Sequence, residues 1–158
     1  HWPCPNAEHP GTPVLHREQF TRGNGMFHAI DYIAPAEQVD DDYPMYLTTG
    51  RVLYHYHTGT MTMKSEGLNE RSPDCFIEIS KEDAEKYALT EGNMATVASR
   101  RGDIKARVTI SDKAVAGTVF LPFHFAEAAA NKLTNAALDP VSGIPEFKVC
   151  AVKLSSAA

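Results

Sequence analysis

Cysteine is scarce. Cys4, Cys75 and Cys150 are the only three in 158 residues, too few and too scattered for a disulfide framework or a CxxC metal knuckle. They are read as small buried hydrophobes. Long apolar runs are missing too: no window approaches the roughly 18 residues of a membrane span, and no basic opening is followed by an apolar stretch of the signal-peptide kind. Basic charge is in deficit, with 15 Lys and Arg against 20 Asp and Glu and a net charge of -5. That balance argues against a nucleic-acid binder, which needs a basic field to meet the phosphates. There is no Walker loop, no GxGxxG after a strand and no GxSxG elbow, and no cysteine sits beside a histidine. P-loop, dinucleotide-fold and nucleophilic hydrolase chemistry therefore lack their residues. The clustered carboxylates Glu82, Asp83 and Glu85 are expected on the solvated side of a helix. The chain begins at His1 rather than Met and is read as processed or as a piece of something longer.

What is present is an ordinary globular composition, 43% apolar and 9% aromatic, in a chain long enough to bury about 70% of its unfolded surface in one domain. Residues 1–42 differ from the rest: they hold half of the ten prolines, the Gly23-Asn24-Gly25 turn and a closing Asp40-Asp41-Asp42 run. They read as an extended lead-in or linker, with one short strand over Met26–Ile30. From residue 43 to 158 the text is strand-like. Strands are expected over Pro44–Thr49, Cys75–Ile79, Asn93–Arg100, Ile104–Ile110, Thr118–Leu121 and Phe147–Leu154. A short helix capped by Ser80 with Asp83 three residues on is expected to end before Gly92, and an alanine-rich helix over Ala126–Leu133. Six short strands with two minor helices and no βαβ alternation favour a closed β-barrel.

The 23 residues from Tyr43 to Ser65 contain no Asp or Glu, where a mixed-sign surface would carry about three. Inside this stretch, Thr49 to Thr62 is the densest polar text. Gly50 lets the backbone come close to a ligand, while the hydroxyls of Thr49, Thr58 and Thr60 and the guanidinium of Arg51 are donors of the kind a phosphate needs. The plain alternative is a polar surface loop. His55 and His57, two apart, would face the same way on a strand, with His124 as a third nitrogen; a metal centre built from them lacks any nearby carboxylate or thiolate, and hydrogen-bonded surface histidines are the simpler reading. Phe120–Phe125 reads as core. Asn131 ends an alanine-rich stretch, where its amide can meet a heterocycle edge.

Four separated blocks carry a family resemblance: YPMYLTTGR running into TGRVLYHYHTGTMT, then SRRGDIKARV, LPFHFAEAAANKLTNAALDP and EFKVCAVKL. Together they resemble the C-terminal molybdopterin dinucleotide-binding domain of the molybdenum and tungsten oxidoreductases, most of all the catalytic subunit of formate dehydrogenases, with periplasmic and assimilatory nitrate reductases close behind. The opening HWPCPNAEHPGTPVLHREQF is similar to the stretch that precedes this domain. The resemblance implies a mainly β fold, a six-stranded double-psi barrel with small peripheral helices, of the aspartate decarboxylase-like type. It also implies bis-molybdopterin guanine dinucleotide, with Mo or W, as cofactor. Thr49, Gly50, Arg51, His55, His57 and Thr58 are then cofactor-binding positions, as are Phe123, His124, Asn131 and Lys148. The Cys or selenocysteine that ligates the metal and the iron-sulfur cysteines of the family have no match here. The resemblance thus makes this chain the last part of a catalytic subunit, inactive alone. Its partners would be the N-terminal domains of that subunit, which hold the iron-sulfur cluster, together with electron-transfer subunits, in the cytoplasm. An independent cofactor-binding subunit is the other arrangement.

Overall fold

Alternation of apolar residues sets the barrel. In the computed structural model, which describes residues 2–20 and 22–157, six strands close on themselves: β1 Met45–Gly50, β2 Phe76–Ile79, β3 Met94–Ser99, β4 Gly102–Ile110, β5 Thr118–Pro122 and β6 Cys150–Ser156. Their order around the barrel is β1-β5-β2-β4-β3-β6. Every second residue points inward, so Leu47, Ile77, Ile79, Val97, Val108, Val119, Leu121 and Val152 are fully buried, each contributing on the order of 1.5–3 kcal/mol by leaving water. Closure leaves none of the six with an unpaired edge.

Two strand pairs are parallel, β1 with β5 and β2 with β4; the other contacts are antiparallel. The β1/β5 pair matters most for function. Its register runs from Tyr46 opposite Thr118 to Gly50 opposite Pro122, so both carboxyl ends emerge at one end of the barrel and deliver Arg51 and Phe123 side by side.

Several sequence expectations need correcting. The turn expected at Arg101-Gly102-Asp103, between the strands Asn93–Arg100 and Ile104–Ile110, is the two residues Arg100-Arg101, and Gly102 already opens β4. Met26–Ile30 forms no strand. Ala126–Leu133 is no helix, only the single 3-10 turn Ala130–Lys132, because its buried residues Ala128, Ala130 and Leu133 do not recur at a helical period and Ala129 is extended. The last strand starts at Cys150; Phe147 and Lys148 lie in a turn before it. The expected helix exists as α2, Lys81–Lys86, and Ser80 caps it by accepting a hydrogen bond from the Asp83 amide at 3.1 Å. It stops early, because Ala88 takes a left-handed conformation at φ 51°.

Asp83 is not solvated. It is 3% exposed, accepts from the Ser80 hydroxyl at 2.7 Å and from the Gly117 amide at 2.9 Å, and so pins α2 to the approach of β5. A further helix, α1 over Glu66–Arg71, and the 3-10 turn Thr62–Lys64 bury no residue, which is why periodicity gave no sign of them. Cys75 and Cys150 are buried as expected, but Cys4 is exposed. Burial, reinforced by the nearby Glu127 charge, pushes the Cys75 thiol up to about 12; burial likewise raises Cys150 to about 11. Neither is a nucleophile at neutral pH.

The chain falls into two compact units, His1–Ile33 and Ala34–Ala158. In the first, Phe20 and Gly23 exchange both backbone hydrogen bonds at 2.9 Å, while Trp2, Met26, Phe27, Ile30, Tyr32 and Ile33 are each at least 80% exposed. In the second, residues 34–42 are bonded to the barrel: Glu37 receives Arg100 and Arg101, Asp40 receives Arg100, and Tyr46 donates to the Gln38 side chain at 2.6 Å. No helix among the described residues is long and apolar enough to cross a membrane.

Candidate functional site

Where β1 and β5 end, the chain leaves a cavity of about 610 Å³ lined by Arg51, His57, Thr58, Phe123, Asn131, Phe147 and Lys148. Three separate stretches meet there. Arg51 follows β1 directly. The chain then reverses at His57 and Gly59, both left-handed at φ 53° and 74°, which turns His57 and Thr58 toward the opening; the Thr58 and Thr60 hydroxyls lie 2.9 Å apart. Phe123, just past β5, donates its amide to the Gly50 carbonyl at 3.2 Å and meets the His57 ring edge-on at 6.0 Å. Asn131 comes from the 3-10 turn. The third stretch is Phe147-Lys148, bound to the end of β1 twice: Thr49 Oγ1 donates to the Phe147 carbonyl at 2.7 Å, and Lys148 Nζ donates to the Thr49 carbonyl at 2.7 Å.

Lys148 thus reaches the cavity from a turn, not from the strand expected over Phe147–Leu154. One of its three N–H groups is taken by Thr49, leaving two to give. No carboxylate lines this cavity among the described residues, and neither Arg51 nor Lys148 forms an ion pair there. Two cations, an amide, a hydroxyl and an imidazole facing two phenyl rings have the chemistry to hold a flat heterocycle carrying anionic groups.

Five sequence-nominated residues lie outside the cavity lining; one of them, Thr60, meets it only through its contact with Thr58. Thr49 is buried and acts through its two bonds to the Phe147-Lys148 turn. Gly50 makes room for a side chain: a Cβ there would stand 2.4 Å from the Phe120 ring. His55 is 3% exposed and faces inward, because residues 51–61 form a loop and strand alternation with His57 does not apply. His124 is 7% exposed, packed at ring-centroid distances of 4.8 Å from His55 and 4.0 Å from Phe125. Neither of its ring nitrogens has a hydrogen-bond partner among the described residues. Burial first, and the His55 ring second, pull its pKa below the usual histidine value, so it is neutral at pH 7. Phe147 is the wall that the sequence reading missed; its place next to Lys148 was the available signal. No group of three or more His, Cys, Asp or Glu among the described residues is arranged to hold a metal ion.

A cavity at parallel strand ends that presents unneutralised cations beside aromatic walls has the makeup of a small-molecule or cofactor pocket. Residues 45–151 match the family described as "Molydopterin dinucleotide binding domain", and the chain belongs to that family. It is 49% identical to the F420-dependent formate dehydrogenase 1 subunit alpha of Methanococcus maripaludis, an alignment covering 98% of this chain and 23% of the relative. To the F420-dependent formate dehydrogenase subunit alpha of Methanocaldococcus jannaschii it is 47% identical over the same shares. The assimilatory nitrate reductase catalytic subunit of Bacillus subtilis matches at 41%, over 98% of this chain and 22% of the relative. The chain therefore spans about a quarter of the length of these relatives. Among solved structures, acetylene hydratase from Pelobacter acetylenicus superposes with a TM-score of 0.70 at 17% identity, over 80% of this chain and 21% of that one. The fold is the six-stranded double-psi barrel of these enzymes.

Proposed function

We propose that this chain is the C-terminal domain of a formate dehydrogenase-like oxidoreductase, closing one side of a bis-molybdopterin guanine dinucleotide site used for formate/CO2 interconversion. The observation that carries the proposal is the acid-free cavity, into which Arg51, His57, Thr58, Phe123, Asn131 and Lys148 converge from separate stretches of sequence. The donor set fits the cofactor: cations for its phosphates, phenyl faces and an amide for its heterocycles. The buried, unpartnered ring of His124 fits as well, since such a group costs about 1–3 kcal/mol until something meets it. When bound, the cofactor supplies a Mo or W centre able to accept two electrons from substrate.

The protein's part is to bind, orient and keep water out. Arg51 and Lys148 neutralise anionic groups. Phe123 and Phe147 would pack against the cofactor's heterocycles, and Asn131 would offer them an amide. Thr49 and Gly50 act one step removed, by holding the cavity walls. Residues 1–42 serve as the lead-in, its last part, 34–42, fastened to the barrel, and 43–158 as the cofactor domain. The preceding domains of the same subunit, holding the iron-sulfur cluster and the metal-ligating residue, are the partner, with electron-transfer subunits beyond them, in the cytoplasm. The exposed apolar side chains of the first unit suit a surface covered by that larger subunit. Alone, the chain does not turn over formate.

The nitrate reductase relatives, at 41% and 36% identity, support a second reading with nitrate as substrate and the same cofactor role. Arg51→Ala in the full-length catalytic subunit tests the common part. A guanidinium bond to an anion is worth about 1.5–3 kcal/mol, so the purified variant is expected to lose pterin and metal while its melting temperature holds. Full cofactor content and unchanged turnover would overturn the assignment of the cavity. Formate and nitrate assays on the parent enzyme separate the two readings.

A further inference from the structure

The loop from Arg51 to Met61 has no helix or strand to hold its shape, yet it must present Arg51, His57 and Thr58 together. Its fixings converge on His55. The His55 Nε2 lies 2.9 Å from the Ser72 carbonyl, which can only accept, so Nε2 carries the ring proton. In the neutral ring Nδ1 is then an acceptor, and the Thr62 hydroxyl, 3.2 Å away, donates to it. The same hydroxyl oxygen accepts the Tyr56 amide at 3.1 Å. One closed chain thus links Tyr56, Thr62, His55 and Ser72, spanning the loop and the start of the segment that follows α1. Gly59 donates to the Tyr56 carbonyl at 2.9 Å and Met63 to the Gly59 carbonyl at 2.8 Å, extending it through the reversal that turns His57 outward.

We propose that His55 is a positioning residue: buried and bonded to Ser72 and Thr62, it sets the course of the loop that carries His57 and Thr58 to the cavity, and it makes no bond to the ligand itself. This rests on the cavity being the cofactor site. Both of its ring nitrogens are committed, its side chain is closed to solvent, and it lies outside the cavity lining. Two histidines that look alike in the sequence therefore act differently: His57 faces the cavity and His55 holds it there.

The test uses the full-length catalytic subunit, because a bond within the loop and a bond to the ligand predict opposite patterns. Thr62→Val removes only the hydroxyl, at a residue outside the cavity. Amide hydrogen exchange over residues 55–63 is expected to speed up by about fivefold or more, since the hydroxyl's bonds to His55 and from the Tyr56 amide are both lost, and cofactor content to fall with it. Thr62→Ser keeps the hydroxyl and is expected to restore both. His55→Gln is expected to act in the same direction as Thr62→Val, and the double variant to fall short of the sum of the two singles, since they share the His55–Thr62 bond. If His55→Gln sheds cofactor while loop exchange is unchanged, or if its effect simply adds to that of Thr62→Val, His55 binds the ligand directly and the proposal fails. Should His55→Gln not fold, the Val and Ser pair at residue 62 still decides: normal exchange in Thr62→Val refutes the lock. Arg51→Ala in the same background stands apart, because full cofactor there refutes the cavity as the site while the exchange measurements still report on His55.

Discussion

Two pairs of basic residues on this barrel have opposite surroundings. At the β3–β4 turn, Arg100 and Arg101 are held by Glu37, with Asp40 adding a second partner to Arg100, and Arg100 also lies over the Tyr43 ring. At the end of β1 and β5, Arg51 and Lys148 face a cavity without a single acid. The first pair is a staple, since its charge is spent inside the chain on fastening residues 34–42 to the hairpin. The second pair has its charge left over. A count of basic residues would not tell these two places apart. What marks the proposed ligand site is that the acids are missing from one and present in the other, and the acid-free run from Tyr43 to Ser65 is its trace in the sequence.

The largest effect is expected from breaking the cavity end without touching charge. Gly50→Ala sets a methyl carbon 2.4 Å from the Phe120 ring, closer than side chains tolerate, so either the ring or β1 must move. Overpacking of this kind costs about 1–3 kcal/mol, and the strand that shifts carries both Arg51 and the Thr49 anchor. Thermal melting is expected to drop by several degrees with loss of cofactor. A melting point within a degree of the parent would mean that Phe120 swings aside freely.

Next comes Lys148→Met, which keeps most of the side chain's bulk and removes the charge. The fold loses the bond to the Thr49 carbonyl, about 1 kcal/mol. Ligand retention should fall about tenfold, as for a charge-assisted bond. Metal content and melting measured on one preparation separate the two effects. If both remain at the parent's level, Lys148 has no part in the site.

The staple should respond differently. Glu37→Gln is expected to cost about 1 kcal/mol of stability, since its partners are partly exposed, and to leave cofactor content alone. Burial pushes the Glu37 carboxyl up, but the hydrogen bonds from Arg101 and Arg100 outweigh it and hold the group below its ordinary value. A depressed folded pKa means that the contribution is complete above the unfolded value near 4.3 and is lost as pH falls through the folded one. Acid melts of parent and variant are therefore expected to converge below about pH 4. Curves that stay parallel down to that pH would contradict the ion pairing.

The barrel was legible because its strands obey one local rule. Leu47 with Thr49, Ile77 with Ile79 and Val119 with Leu121 repeat at every second position, and burial follows from the spacing alone. The site was legible only in part. Arg51, His57 and Thr58 belong to an acid-free polar loop, whereas Lys148 came from family resemblance, because nothing local says that its turn folds back onto Thr49, 99 positions away in sequence. His55 and His57 were misread as equivalent for a related reason: the left-handed backbone at His57 breaks the alternation, and a non-glycine residue gives no warning of it. Asp83 was misplaced because its second partner, the Gly117 amide, is 34 residues further on.

The smallest expected effect is at His124, which differs from the staple in being buried and resembles the cavity cations in lacking a partner among the described residues. Its pKa is lowered in the folded chain, chiefly by burial, so below the unfolded value of about 6.5 the unfolded state takes up a proton that the folded state refuses. Its share of stability is thus complete above about pH 6.5 and shrinks as pH falls from there toward the folded value, well before the Glu37 window opens. Phenylalanine fills nearly the same shape without polar atoms, and exchanging an unpaired buried polar group for an apolar one is close to neutral or favourable. His124→Phe in the 158-residue chain is therefore expected to melt within about 1 kcal/mol of the parent at pH 7.5 and to gain on it steadily toward pH 5.5. In the full subunit the same variant is expected to retain less cofactor, because whatever meets the imidazole nitrogens there has lost its partner. A clear loss of stability at pH 7.5 in the short chain would show that those nitrogens are already bonded within this domain, and His124 would then belong with the staple and not with the site.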